Sequence, residues 1–564
     1  MKFSQTGDLW WKNAVLYCAD VQTFADSDGD GQGDLRGMTE RIEYLADLGV
    51  TCLWLMPFYP TANKDDGYDI TDFFGVDPRL GSHGDFVELV RTARAAGLRV
   101  IVDFVMNHTS DQHPWFKSAR RSTDDRFRDY YVWAPSEPRS SAKDVVFPDQ
   151  EDSIWELDER TGEWFLHHFY KTQPDLNVAN PAVQEEIAKT LGFWLQLGVS
   201  GFRVDAVPFL FARDAVRGVE DPEAFNPDRY LGDVRSFVTR RIGDAMLLGE
   251  VNLPYEEQKR FFGGADGDGL NMQFDFNGMQ RLYLSLARGD ASPLAEALRE
   301  RPALDITSQW ANFVRNHDEL TLDKLSTSER HEVFAAFGPE PEMQLFDRGL
   351  RRRLPTMLGG DQRRLRLVYS LMFSLPGTPV LFYGEEIGMG ENLDIEGRLS
   401  VRTPMQWSDG PNGGFSSAPA RRLARPLPTG LFSPEHVNAL EQRRDPDSLW
   451  NAMRRLIRTY RQMPQIGWST VEVLDHDQPA VLAHVCRCDD WRMLAVHNLG
   501  ADTCTVTVTL DDVPEGAVLR DALRLAAGTG EDVRISSGRP VELRVDGHAG
   551  RWLRLLAPGE ECFL

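Results

Sequence analysis

"LRVIVDFVMNH", residues 98–108, is a short apolar run that ends in a polar cluster. Seven other segments have the same form: residues 14–24, 50–60, 199–209, 245–252, 270–276, 308–319 and 378–386. Each reads as a strand, since brief apolar runs bounded by polar groups suit strands covered on both faces. Longer amphipathic stretches separate them. "LRGMTERIEYLADLG" (35–49) and "GDFVELVRTARAAG" (84–97) read as helices by period, and each closes on a glycine where a helix stop is expected. Eight strand-helix repeats predict an α/β fold, a (β/α)8 TIM barrel, whose functional groups gather at the carboxyl ends of the strands.

The barrel is predicted over residues 1–103 and 179–465. Residues 104–178, after the third strand, are irregular and aromatic-rich, too long for an ordinary loop, and read as an inserted subdomain that overhangs the strand ends. Residues 466–564 change to short period-2 strands with turn residues between them, and predict a C-terminal antiparallel β-sandwich. A charged insertion after the seventh strand, about 323–365, is expected to form helices near the mouth, with its "RRR" (351–353) on a solvated face.

Composition narrows the function classes. The 564 residues carry a formal charge of −24 and a pI near 5.0, which opposes a phosphate backbone and argues against nucleic acid as a partner. No run of ~18 apolar residues occurs, and the start lacks a charged head followed by an apolar stretch, so neither membrane insertion nor export is expected. Six cysteines (18, 52, 486, 488, 504, 562) accompany no CxxC or histidine cluster. They read as reduced, packed thiols of a cytoplasmic protein. A homo-oligomer stays open.

"DSDGDGQGD" (26–34) resembles the first half of a calcium loop. Asp26, Asp28, Asp30, the Gln32 carbonyl and Asp34 fit the first five ligand positions and Gly31 the sharp turn, but Gly37 stands where an EF-hand needs a bidentate Glu. A fixed structural Ca²⁺ or a metal-free loop of Asx-turns both fit this pattern; a calcium sensor does not.

The candidate chemistry lies at strand ends. "GFRVDAV" puts Arg203 and Asp205 on one strand face, where the guanidinium is expected to keep the carboxylate ionised. Glu250 follows four apolar residues and a glycine, a setting whose desolvation would raise a carboxyl toward the range of a general acid. "NHDE" adds His317 and Asp318, and "DFVMNH" adds Asp103, Asn107 and His108. Four carboxylates and two histidines on one rim exceed what a structural barrel needs.

"DFVMNH", "GFRVDAV", "GEV" and "NHD", in this order, resemble the four signature regions of the α-amylase family, glycoside hydrolase family 13. "QPDLN" (173–177) and "DGYDI" (66–70) resemble further motifs of its oligosaccharide-acting members, and residues 26–34 match the loop where many members hold a structural Ca²⁺. The resemblance implies that Asp205 is the nucleophile, Glu250 the general acid/base and Asp318 the carboxylate that stabilises the transition state. Arg203 would orient Asp205. Asp69, His108 and His317 would hydrogen-bond the glucose, Tyr68 would stack on it, Asp103 would support from below, and Arg402 would narrow the entrance.

Within the family, "NHTSDQHPWF", "RDYYVW", "RNHDELTL" and "VRTPMQW" resemble the trehalose synthases, which move a glucosyl unit of maltose from an α-1,4 to an α-1,1 linkage. Ala206 looks like the α-1,4-acting members. The segment "EVNLPYEEQ" departs from the "EANQWP" common in that group, and it shapes the acceptor side. The expected partner is a small α-glucoside of the maltose, trehalose or sucrose class, met in a pocket that excludes starch. The alternatives are a hydrolytic α-glucosidase or sucrose-acting transferase with the same catalytic residues, and an inactive interaction subunit, which would need lost carboxylates and a membrane anchor.

Overall fold

A computed structural model of the chain describes residues 9–139, 145–210, 225–264, 267–525 and 532–560. Eight parallel strands close into a barrel: β1 (Leu16–Ala19), β2 (Cys52–Leu55), β3 (Arg99–Phe104), β4 (Gly201–Val204), β5 (Met246–Gly249), β6 (Met272–Phe274), β7 (Gln309–Phe313) and β8 (Thr378–Phe382). Each falls inside one of the eight apolar segments. The strands pair in sequence order round the barrel, and β1 closes it against β8 with Leu16 opposite Val380. Their residues are buried almost without exception, as expected where side chains fill the interior on one face and helices cover the other. Gly201 at the start of β4 has φ 151°, and a Cβ there would lie 2.1 Å from the Met246 carbonyl oxygen. Only glycine admits that approach.

The predicted helix over 35–49 is two helices, Leu35–Glu40 and Ile42–Leu48. They break at Arg41, whose guanidinium lies 4.4 Å from the centre of the Trp407 ring. Gly49, at φ 103°, ends the second. The helix His83–Ala95 starts with a capping box between Ser82 and Asp85.

Between β3 and β4 a small antiparallel sheet joins Trp133–Ala134, Trp155–Asp158 and Glu163–Leu166. Aromatic rings hold it: Phe116 stacks on Trp133 and meets Phe165 edge-on at 5.0 Å. After the barrel, a six-stranded and a two-stranded antiparallel sheet enclose a second core that includes Leu494, Val506, Leu543 and Leu553. Five cysteines are free thiols; Cys562 lies outside the described residues. No helix among the described residues is long and apolar enough to cross a membrane.

The expectation for "RRR" fails. Arg351 and Arg353 are buried and Arg352 nearly so. Arg351 donates to the carbonyls of Glu342, Leu393 and Ile395, Arg352 pairs with Glu391, and Arg353 donates to the carbonyls of Val401 and Tyr383. Three adjacent arginines resemble a solvated face in sequence, but here they gather irregular backbone that has no ladder of its own. Arg353→Ala should therefore cost about 3 kcal/mol, since it strands two buried carbonyls. Arg363→Ala, on a pair with an exposed arginine, should cost under about 0.5 kcal/mol. Urea midpoints for the two variants check this.

Candidate active site

The carboxyl ends of β3, β4 and β5 converge on one side chain. Arg203 Nη1 lies 2.7 Å from Asp103 Oδ1 and 2.5 Å from Asp205 Oδ1, and Nη2 lies 2.8 Å from Glu250 Oε2. The register sets this up, because β3 and β4 pair with Asp103 opposite Arg203. Below them, Trp54 Nε1 donates to Asp103 Oδ2 at 3.0 Å and the Tyr59 hydroxyl donates to the Asp103 carbonyl at 2.6 Å. Ala206, just past Asp205, has φ 49°, and its N–H donates to Glu250 Oε2 at 3.3 Å. The turn after β4 thus aims one carboxylate and holds the next.

A second cluster forms past β7. Asp318 Oδ1 accepts from Arg398 Nη1 and from Arg402 Nη2, both at 2.9 Å, and Oδ2 is 3.2 Å from His317 Nε2. That nitrogen is also 2.7 Å from the Tyr68 hydroxyl, and the two rings stack. Arg402 donates Nε to the His317 carbonyl and pairs through Nη1 with Asp66 at 2.6 Å.

The electrostatics of the clusters differ in sign. Burial raises the Glu250 carboxyl to about 7, against the pull of Arg203 and with the help of the Asp205 and Asp318 charges. Burial likewise raises Asp205 to about 6, although Arg203 opposes it. The guanidinium was expected to keep Asp205 ionised, and it does favour the charged form, but its one positive charge is divided among three carboxylates. For Asp318 burial is outweighed by His317, Arg398, Arg402 and Arg203, which together hold it well below the usual carboxylate range. Burial also keeps His317 and His108 below the usual histidine value.

Asp205, Glu250, Asp318, Tyr68 and His108 line one pocket of about 400 Å³. Arg203, His317 and Asp103 sit beneath it as support, and Asn107 turns away to donate to Asp175 at 3.2 Å. Besides Arg203 and His317, two further residues expected to bind substrate do not face the pocket. Asp69 is fully buried, and its Oδ1 accepts from the Thr61 hydroxyl at 2.7 Å and the N–H groups of Lys64 and Asp65. It braces the 61–69 turn. Arg402 is also fully buried and holds Asp66 and Asp318 from behind. In their places the wall carries Asp65 and Arg398, which pair with each other. "KDDGYDI" offers three aspartates in five positions, and only the turn decides which faces inward; Arg398, four residues ahead of Arg402, lies on the 3-10 turn Gly397–Val401.

The mouth draws on segments far apart in sequence. Phe147 packs on Tyr170 and on Phe346, with ring centres 4.5 and 5.0 Å apart. Arg348 donates to the Val146 carbonyl at 2.6 Å and pairs with Glu319 at 3.0 Å, while Phe346 and Asp347 both have positive φ. On the side opposite, Asn252 donates to Asp323 and its Oδ1 is buried without a partner. These mouth residues carry no motif, so the sequence gives them no signal.

At residues 26–34, Asp26, Asp28 and Asp34 each offer a carboxylate oxygen within 4.8 Å of the others. Asp30 is not in that cluster. Asp26 also accepts from the N–H groups of Asp28, Gly29 and Gly31, and Asp34 caps the helix Leu35–Glu40. The set is all oxygen, which suits a hard cation, and is shared with Asx-turns.

The family profile "Alpha amylase, catalytic domain" matches residues 21–332 and 347–469. The trehalose synthase/amylase TreS of Mycobacterium tuberculosis is 40% identical over 496 residues, 87% of this chain and 82% of that protein. The trehalose synthase of a Pimelobacter species is 37% identical over 561 residues, 97% of this chain and 96% of that protein. Among solved structures, an α-glucosyl transfer enzyme, XgtA, superposes with a TM-score of 0.75 at 27% identity, covering 97% of this chain and 99% of that one.

The raised Glu250 carboxyl has a signature in stability. Its charged form is a cost to the fold that is absent below its ordinary value of 4.5 and fully present above about 7. Glu250→Gln, which mimics the protonated form, should therefore raise the melting temperature relative to the parent at pH 8 and leave it unchanged at pH 4.5. A difference that does not vary with pH would show that the carboxyl is not shifted.

Proposed function

This chain belongs to the α-amylase family and is an α-glucosyl-transferring enzyme, and from that premise we propose that it isomerises maltose to trehalose by retaining double displacement. The observation that carries the reading is the single guanidinium shared by Asp205 and Glu250 at the base of a pocket. A retaining glycosidase needs two carboxyls roughly 5 Å apart, one attacking and one donating a proton. Asp205 and Glu250, forked on one arginine, are brought close together at the base of the pocket.

In the proposed sequence Asp205 attacks C1 of the non-reducing glucose while Glu250 protonates the departing O4, so the C1–O4 bond breaks and an ester to Asp205 forms. The freed glucose turns, and its anomeric hydroxyl returns a proton to Glu250 as it attacks C1, which regenerates Asp205. Asp318, kept anionic by its arginines, would accept hydrogen bonds from the ring hydroxyls and stabilise the positive charge that develops at C1. Tyr68 and His108 line the same space, and Asp65 with Arg398 would close over the far end of the glucose. The trehalose synthases among the relatives support the acceptor assignment. Hydrolysis is the same first step followed by water, so exclusion of water separates the two outcomes.

Incubation with maltose, followed by NMR, should give trehalose in excess over glucose, and soluble starch should turn over far more slowly per kcat/KM. Glucose as the sole product would favour the hydrolase reading, and turnover of sucrose above maltose a sucrose-acting transferase. Asp205→Asn should lower kcat at least about a thousandfold with the fold intact.

We further propose that Asp26, Asp28 and Asp34 hold a structural Ca²⁺, which would offset most of the charge of three converging carboxylates. Chelation should lower the melting temperature of the parent and leave that of Asp28→Asn unmoved. Equal melting of the metal-free and calcium-loaded parent would assign the loop to Asx-turns alone.

A further inference from the structure

Away from the catalytic pocket, a second cavity of about 470 Å³ opens between the helices Gln362–Ser374 and Leu449–Gln462 and the turn at 546–550 of the C-terminal sheets. It far exceeds the ~30 Å³ that one water occupies in the liquid. Its walls are apolar, made by Leu367, Met453 and Leu456 with Leu523 and Ala549. Its rim is cationic, with Arg363, Arg366 and Arg455. Arg366 donates to the Asp447 carbonyl and Arg455 to the Pro446 carbonyl, and among the described residues neither pairs with a carboxylate. Asp546 also lines the cavity, and the Asp447 and Asp445 charges act on Arg366 without pairing with it.

Two further groups point the same way. Arg366 Nε is buried without a hydrogen-bond partner, and so is Nδ1 of His548, which lines the same cavity. His548 has φ 50°, the left-handed conformation of the turn before Ala549. Neither nitrogen has a partner within the described residues.

We propose that this cavity is a binding site for an anionic amphiphile, a carboxylate on an apolar body. The apolar walls reject a sugar, whose hydroxyls would go unpaired there. The arginines suit a carboxylate, which takes two parallel N–H donors from one guanidinium. None of these residues belongs to the catalytic pocket, so the site stands whether or not the chain isomerises maltose.

Calorimetric titration of the full chain tests it with octanoate as probe, octanol as the uncharged body and inorganic phosphate as the bare anion. Octanoate should bind saturably with one site per chain, and octanol and phosphate at least tenfold more weakly. Arg366→Gln should weaken octanoate at least tenfold with maltose turnover unchanged, and Ala452→Trp, which fills the cavity, should abolish its binding. Absence of saturable octanoate binding at millimolar concentration, or octanoate affinity unaltered in folded Arg366→Gln, would overturn the site. Octanol binding as tightly as octanoate would overturn the anion, and phosphate doing so would overturn the apolar body.

Discussion

One guanidinium organises this molecule's chemistry. Arg203 is 1% exposed and forks to three carboxylates on three adjacent strands. A charge buried to that depth is tolerated only with opposite charges close by, and here three carboxylates surround one cation. The barrel supplies the partners through strand register, so closure of the sheet and assembly of the site are the same event. Sharing also explains why the carboxylates stay above their usual range. Three negative groups compete for one cation in a place where water cannot help.

The second cluster works in reverse. Asp318 meets Arg398, Arg402 and His317, and its partners are in turn anchored by Asp65 and Asp66. Two carboxyls kept near neutrality and a third kept anionic, within one pocket, is the separation by which a protein assigns acid, nucleophile and electrostatic roles to chemically similar side chains. The arginines in these roles come from residues 203, 398 and 402, and the insertions bring aromatic walls to them.

The eight strands were legible because a barrel strand carries its whole signal locally: an apolar run, then polar residues at its carboxyl end. The motif carboxylates Asp205, Glu250 and Asp318 were legible for the same reason, since each follows a strand by one to five residues. What was not legible depends on turns and on distant partners. Asp69 and Asp65 differ only in which way a tight turn points them, and Thr61 decides it by bonding Asp69. Arg402 and Arg398 are separated by one 3-10 turn. "RRR" looked solvated because a charge run gives no hint of the carbonyls waiting at 342, 393, 395, 383 and 401. The break at Arg41 needs Trp407, far along the chain, to be understood.

The seam between β1 and β8 sets the order of events during synthesis. Tyr17 at β1 and Tyr44 on the helix Ile42–Leu48 both donate to Glu386, which is 369 positions beyond Tyr17. The first strand therefore leaves the ribosome long before its partner exists, with one edge unpaired and its phenols without their acceptor. Contacts of such sequence separation are paid for in loop entropy before they return any stability, which slows the final closure. An open sheet with a free parallel edge is also the species most prone to pair with another chain. The nascent chain thus spends most of its elongation as an incomplete cylinder, with one edge of β1 open until β8 is made.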